Sequence, residues 1–140
     1  DMKLTDLEPQ FIRYETRVEK HNVVDGDQAT WRERGSPVNE VTGPREHLVH
    51  VGLIDQAQGI MFLCPKCFQE NKGSVGTHFC IVTFAGRGVL DTQGQYSVVN
   101  GEPVRWKVSG TGYEDLDITP SILLYGGCNW HGWIHKGEVT

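Results

Sequence analysis

Along this chain apolar and polar positions alternate in short stretches, the signature of strands with very little helix. From Gln10 to Thr16, Phe11, Arg13 and Glu15 fall on one face and Ile12 and Tyr14 on the other, which predicts a first strand. Arg45 to Gly52 alternates in the same way. Gly59 to Leu63 is a continuous apolar run of strand length. Gly76 to Phe84 is the strongest strand signal, rich in β-branched and aromatic residues. Val104 to Val108 follows, with Val104, Trp106 and Val108 on one face. Asp115 to Leu124 is interrupted by Pro120, as suits an edge strand or a turn between two short strands. Trp133 to Val139 predicts a strand, a Lys136-Gly137 turn and a short return. Asn100-Gly101 carries the residues of a type I′ hairpin turn. Leu53 to Gln58 predicts one helical turn, stopped by Gly59. The expected fold is mainly β, a small domain of antiparallel strands.

Between His21 and Pro44 the periodicity fails. This segment is polar, rich in Gly, Asp, Asn and Pro, and its only large apolar anchor is Trp31. It predicts a long loop excursion over 21–44, with a short helical turn at Asp27 to Glu33 and Asp27 as its N-cap. With 140 residues, 38% hydrophobic and 22% charged, the chain reads as one ordinary globular domain spanning 1–140. Asp1 reads as an expression remnant before an initiator Met2. No apolar run approaches the ~20 residues of a membrane span. With no secretory pattern at the start, the expected compartment is the cytoplasm. The net charge of −5 makes general nucleic-acid binding unexpected.

The four cysteines add the chemistry. Cys64-Pro65-Lys66-Cys67 and Cys128-Asn129-Trp130-His131 form a C-x-x-C and a C-x-x-H pair, the ligand inventory of a closed tetrahedral zinc site. The expected metal ligands are therefore Cys64, Cys67, Cys128 and His131, holding one structural zinc per chain. Such a zinc-ribbon-like clip fastens the middle of the chain to its C-terminal part. Gly127 and Gly132 would supply close turns, and Trp130 and Trp133 a dry wall. The bland alternative is two unrelated pairs, with small buried cysteines and a polar surface histidine. A Rieske cluster is a further alternative, since Cys128 to Gly132 resembles its second box, but it needs two Cys and two His at closer spacing.

Two other residues are candidates for catalysis. His78 precedes Cys80 by two positions and shares its face, so it reads as an acid–base or a partner of the metal ligands, or else as a half-buried strand residue. Cys80 reads as a core thiol. Asp115 lies among Glu114 and Asp117 and reads either as a general base for a metal-bound water or as a loop cap. His47 and His50 fall on opposite strand faces. His21 and His135 read as surface residues.

Several segments are familiar: Lys3 to Leu7, Val41 to Arg45, Gly59 to Cys67, Gly76 to His78, Trp106 to Ile122 (with Thr119-Pro120-Ser121-Ile122) and Cys128 to Glu138. They resemble, over nearly the whole chain, a family of small phage and prophage proteins of unknown function, often automatically labelled ammonia monooxygenase. Broader relatives keep mainly the T-P-S-I and C-x-x-H features. The resemblance implies a phage protein, acting in the host cytoplasm if phage-encoded. The oxygenase label implies membrane-embedded copper subunits, which these residues do not support. The sequence thus leans away from an enzyme and towards a phage-associated zinc-binding accessory module, whose partner is an unspecified protein or small ligand. The alternatives are a zinc-dependent hydrolase of peptide or amide bonds, with His78 or Asp115 as acid–base, and a Rieske-like protein.

Overall fold

The structure is a computed structural model that describes residues 2–23, 39–124 and 128–140. It is mainly β and antiparallel, as the alternation predicts. Eleven strands are described: β1 Met2–Lys3, β2 Gln10–Val23, β3 Asn39–Val51, β4 Gly59–Leu63, β5 Phe79–Thr83, β6 Ser97–Val99, β7 Glu102–Val104, β8 Lys107–Ser109, β9 Asp117–Leu123, β10 His131–His135 and β11 Glu138–Val139. One α-helix is described, α1 at Pro65–Asn71, with 3-10 turns at Leu4–Leu7 and Ile54–Gln56.

The chain divides into two compact units, 1–14 with 49–140 and 15–48. The larger holds a five-stranded sheet ordered β1-β11-β10-β9-β8. It also holds β4 between β5 and the first residues of β2, Gln10 pairing with Met61 and Ile12 with Gly59. Being central, β4 is buried on both sides, which explains why its sequence is apolar throughout and does not alternate. β9 and β10 do alternate. Ile118, Ile122 and Ile134 turn inward, whereas His131, Trp133 and His135 remain on the outer side. The inward residues join Ile60, Phe62, Val82, Phe84, Trp106 and Trp130 in one hydrophobic cluster. The Asn100-Gly101 turn has positive φ at both residues, the type I′ geometry expected of it.

The smaller unit contains β2 from Glu15 onward and β3 as far as Leu48. The ion pairs among its described residues are Arg17 with Glu15 at 3.0 Å, Lys20 with Glu40 at 2.8 Å and His47 with Glu19 at 2.6 Å. None of its side chains described at 15–22 and 40–48 is buried. Of the excursion expected over 21–44, residues 21–23 instead complete β2 and 39–44 belong to β3, and 24–38 lie outside the described residues. Strands solvated on both faces need no apolar alternation, so their composition passes for loop. The turn expected at Asp27 to Glu33 lies outside the described residues.

Candidate functional site

β4 delivers the chain into Cys64, and there the expected knuckle turn is the first turn of α1. Cys64 is its N-cap and Pro65 its first helical residue, a position that costs no hydrogen bond. The N–H groups that a helix start leaves free, those of Lys66 and Cys67, donate to the Cys64 sulfur. Cys128 is brought to the same point, its sulfur 3.0 Å from that of Cys64 and bonded by the Trp130 N–H. The fourth member is His78, whose Nε2 lies 3.2 Å from the Cys128 sulfur. One ligand atom each from Cys64, Cys67, His78 and Cys128 lies within 4.8 Å of all the others.

The expected set is therefore corrected at one position, because His78 stands where His131 was placed. The C-x-x-H spacing supposes a turn that curls both side chains around one ion. By residue 131, however, the chain is extended in β10, with the imidazole on the outer face. Strand register brings His78 in. Leu63 pairs with Phe79, and the Cys64 N–H donates to the His78 carbonyl at 2.8 Å, so His78 sits opposite Cys64 on the same face. Its Nδ1 is 3.3 Å from the Phe79 carbonyl, which can only accept. Nδ1 therefore donates to that carbonyl and Nε2 is the ring atom that faces the thiols, the usual orientation of a metal-binding histidine.

Electrostatics distinguish the thiols. Burial raises the Cys64 pKa, reinforced by its bond to Cys128. Cys67 is pushed up to about 12 by desolvation first and then by bonds to Cys128 and Cys64. Cys128 is held down at about 7 by hydrogen bonds from Cys64 and then from His78 and Cys67. Its sulfur is the anionic focus onto which its neighbours donate. Three thiols and one imidazole can bind a metal ion, and the set suits a closed tetrahedral site. It is not the two-and-two set of a Rieske cluster. Cys80 is buried beside Cys64, and desolvation raises its pKa.

His131, free of the cluster, has a different partner. Its Nε2 lies 3.1 Å from the Ser121 Oγ. β10 pairs with β9 so that His131 faces Leu123, which makes Ser121 a diagonal neighbour on the same outer face. Two anchors hold the pair. The buried Trp106 donates its indole N–H to the Ser121 carbonyl at 3.2 Å, and the Leu124 N–H donates to the Trp130 carbonyl at 3.0 Å. A serine hydroxyl within hydrogen-bond reach of an imidazole is the minimum apparatus of a nucleophile and its base. The sequence reading passed over Ser121 as a nucleophile, although T-P-S-I and C-x-x-H stood out together. A cleft of about 360 Å³ adjoins His131, and Lys66 and Trp130 also line it.

Gly132, next to His131, has no room for a side chain. A Cβ there would meet the Thr140 carbonyl and stand 2.5 Å from the Trp130 ring. Gly132→Ala is expected to cost about 1–3 kcal/mol by overpacking, read as a lower denaturation midpoint at unchanged slope. Trp130 is buried as expected, edge-on to Phe62, but Trp133 is 48% exposed and walls nothing in. Gly127 lies outside the described residues.

Asp115 is a loop cap. Its carboxylate accepts from the N–H groups of Thr111 and Gly112, at 2.9 Å each, and from the Thr111 hydroxyl. These bonds lower its pKa, the Thr111 N–H first, which is the wrong direction for a general base near neutrality. A depressed pKa stabilises the fold above the unfolded value of about 3.9, and the contribution is lost as pH falls through the lower folded value. Asp115→Asn is therefore expected to lower thermal stability at pH 7, with the gap to the native chain closing below about pH 4. His135 pairs with Asp117 at 2.6 Å on the outer face.

The chain is thus mainly β, with a serine–histidine pair and a three-thiol, one-imidazole cluster that share the C-x-x-H segment. Residues 36–140 match the model of the BubE family, described as the bacterial ubiquitination-like system serine protease, so the chain belongs to that family. Comparisons with curated proteins and with solved structures returned no match. The family match overturns the expected non-catalytic phage module, since the family is named for an enzyme. The physical source of that error was His131, counted as a ligand when it contacts a serine. The same match overturns the zinc hydrolase alternative, because a serine protease takes its nucleophile from a side chain. It also replaces the phage resemblance and gives no support to the monooxygenase label. Among the described residues no helix is long and apolar enough to cross a membrane.

Proposed function

We propose that this chain is a serine peptidase of a bacterial ubiquitination-like system, with Ser121 as nucleophile and His131 as general base. The observation that carries the reading is the 3.1 Å contact between His131 Nε2 and Ser121 Oγ in a chain of a serine protease family. In the first step Nε2 takes the hydroxyl proton as Oγ attacks the scissile carbonyl carbon. The same proton then passes to the departing amine as the C–N bond breaks, leaving an acyl-enzyme. Water, deprotonated by His131, releases the acid and restores the serine. The β9–β10 pairing orients the two side chains towards each other. A fluorophosphonate probe is the direct test. Covalent labelling mapped to Ser121 supports the reading, and labelling elsewhere or none at all overturns it.

The metal we propose is zinc, one per chain, held by Cys64, Cys67, His78 and Cys128. Thiolate and imidazole donors and four protein ligands favour it. Its role is to fasten β10, and with it His131, to the end of β4. No step of the hydrolysis runs through it. Four reduced cysteines favour a cytoplasmic setting.

A further inference from the structure

Pro65, Lys66 and Gln69 of α1 and Asn129, Trp130 and His131 are among the residues that line the cleft beside His131. Lys66 and Gln69 are three apart on the helix and so share a face. The Lys66 Nζ donates to the Cys128 carbonyl at 3.1 Å, which holds the ammonium near this wall with further N–H bonds to give. No acidic side chain is in the lining, and among the described residues no carboxylate pairs with Lys66. In a chain of net charge −5, Lys66 gives this wall a positive charge. The His131 ring that lines the cleft also holds the Ser121 hydroxyl, so a side chain seated here flanks the bond the pair attacks.

We infer that this cleft is a substrate subsite for an acidic side chain adjacent to the scissile bond, with Lys66 as the specificity-determining residue and Gln69 as a neutral donor beside it. The inference rests on the Ser121–His131 reading. A charge-assisted bond in a partly open cleft is worth about tenfold in discrimination.

The test uses the full chain and internally quenched peptides carrying Glu, Leu or Lys at each position flanking the cleaved bond. The native chain is expected to prefer Glu over Lys about tenfold in kcat/KM at one flanking position, mostly through KM. Lys66→Glu is expected to reverse the preference, with circular dichroism and melting temperature confirming that it folds. If the Lys66→Glu chain fails to fold, Gln69→Arg takes its place and should strengthen the Glu preference several-fold. A native chain indifferent to charge overturns the inference, as does a preference that survives Lys66→Glu or that Gln69→Arg does not raise. These results leave the peptidase reading intact. A chain that cleaves none of the peptides and takes no fluorophosphonate at Ser121 defeats that reading, and the subsite with it.

Discussion

Replacing Ser121 with alanine is expected to lower peptide cleavage by at least about 10³-fold while leaving the fold and the metal content as they were. The size follows from the role. When nucleophile and base act as a unit, removing either forfeits the covalent pathway and leaves only what binding and positioning supply. His131→Ala should cost about as much, and the double variant little more than either single one. The side chains themselves predict small structural effects. Ser121 is half-buried on an outer sheet face and His131 is exposed, so neither truncation opens a cavity in the core. The measurement is kcat/KM beside a melting curve and a metal determination on each variant. If Ser121→Ala cleaves as well as the native chain, the hydroxyl is not the nucleophile, and the 3.1 Å contact is an ordinary surface hydrogen bond.

The strands were legible because burial imposes periodicity, and they were lost where it does not. β4 could be read to its boundaries since it is central and apolar on both faces. The solvated parts of β2 and β3 carry no such pattern, and polar strand there passed for loop. Three of the four clustered side chains, Cys64, Cys67 and Cys128, were legible from residue type and short spacing. His78 was not, because what brings it in is the pairing of β4 with β5, a relation between strands. Ser121 was hidden for a related reason. A serine and a histidine ten positions apart have no local signature. Only the β9–β10 register shows that they share a face and a diagonal. In C-x-x-H the cysteine turns to the thiol cluster and the histidine to the serine.

That division predicts opposite behaviour for the two histidines and a large loss for the cysteines. Cys64→Ala or Cys128→Ala is expected to abolish metal binding and to lower the melting temperature by roughly 15 °C. The metal would close the long chain segment between Cys67 and Cys128. By the relation used for cross-links of that length, such closure is worth about 4 kcal/mol, a large share of the ~5–15 kcal/mol of a typical domain. Chelation of the native chain should reproduce the shift, since the closure disappears with the ion. His78→Ala should weaken metal binding strongly, as it removes the only imidazole in the cluster. His131→Ala should leave metal stoichiometry at one per chain and instead remove cleavage. Zinc titration of the two variants decides between the assignments. Were His131→Ala to lose the metal and His78→Ala to keep it, the histidine ligand would be the one that the C-x-x-H spacing suggests. The serine would then have no base. Activity should also fall in the cysteine variants, although no thiol takes part in the chemistry. Cys128 lies three residues before His131, and its release frees the start of β10, on which the distance from Nε2 to Ser121 depends.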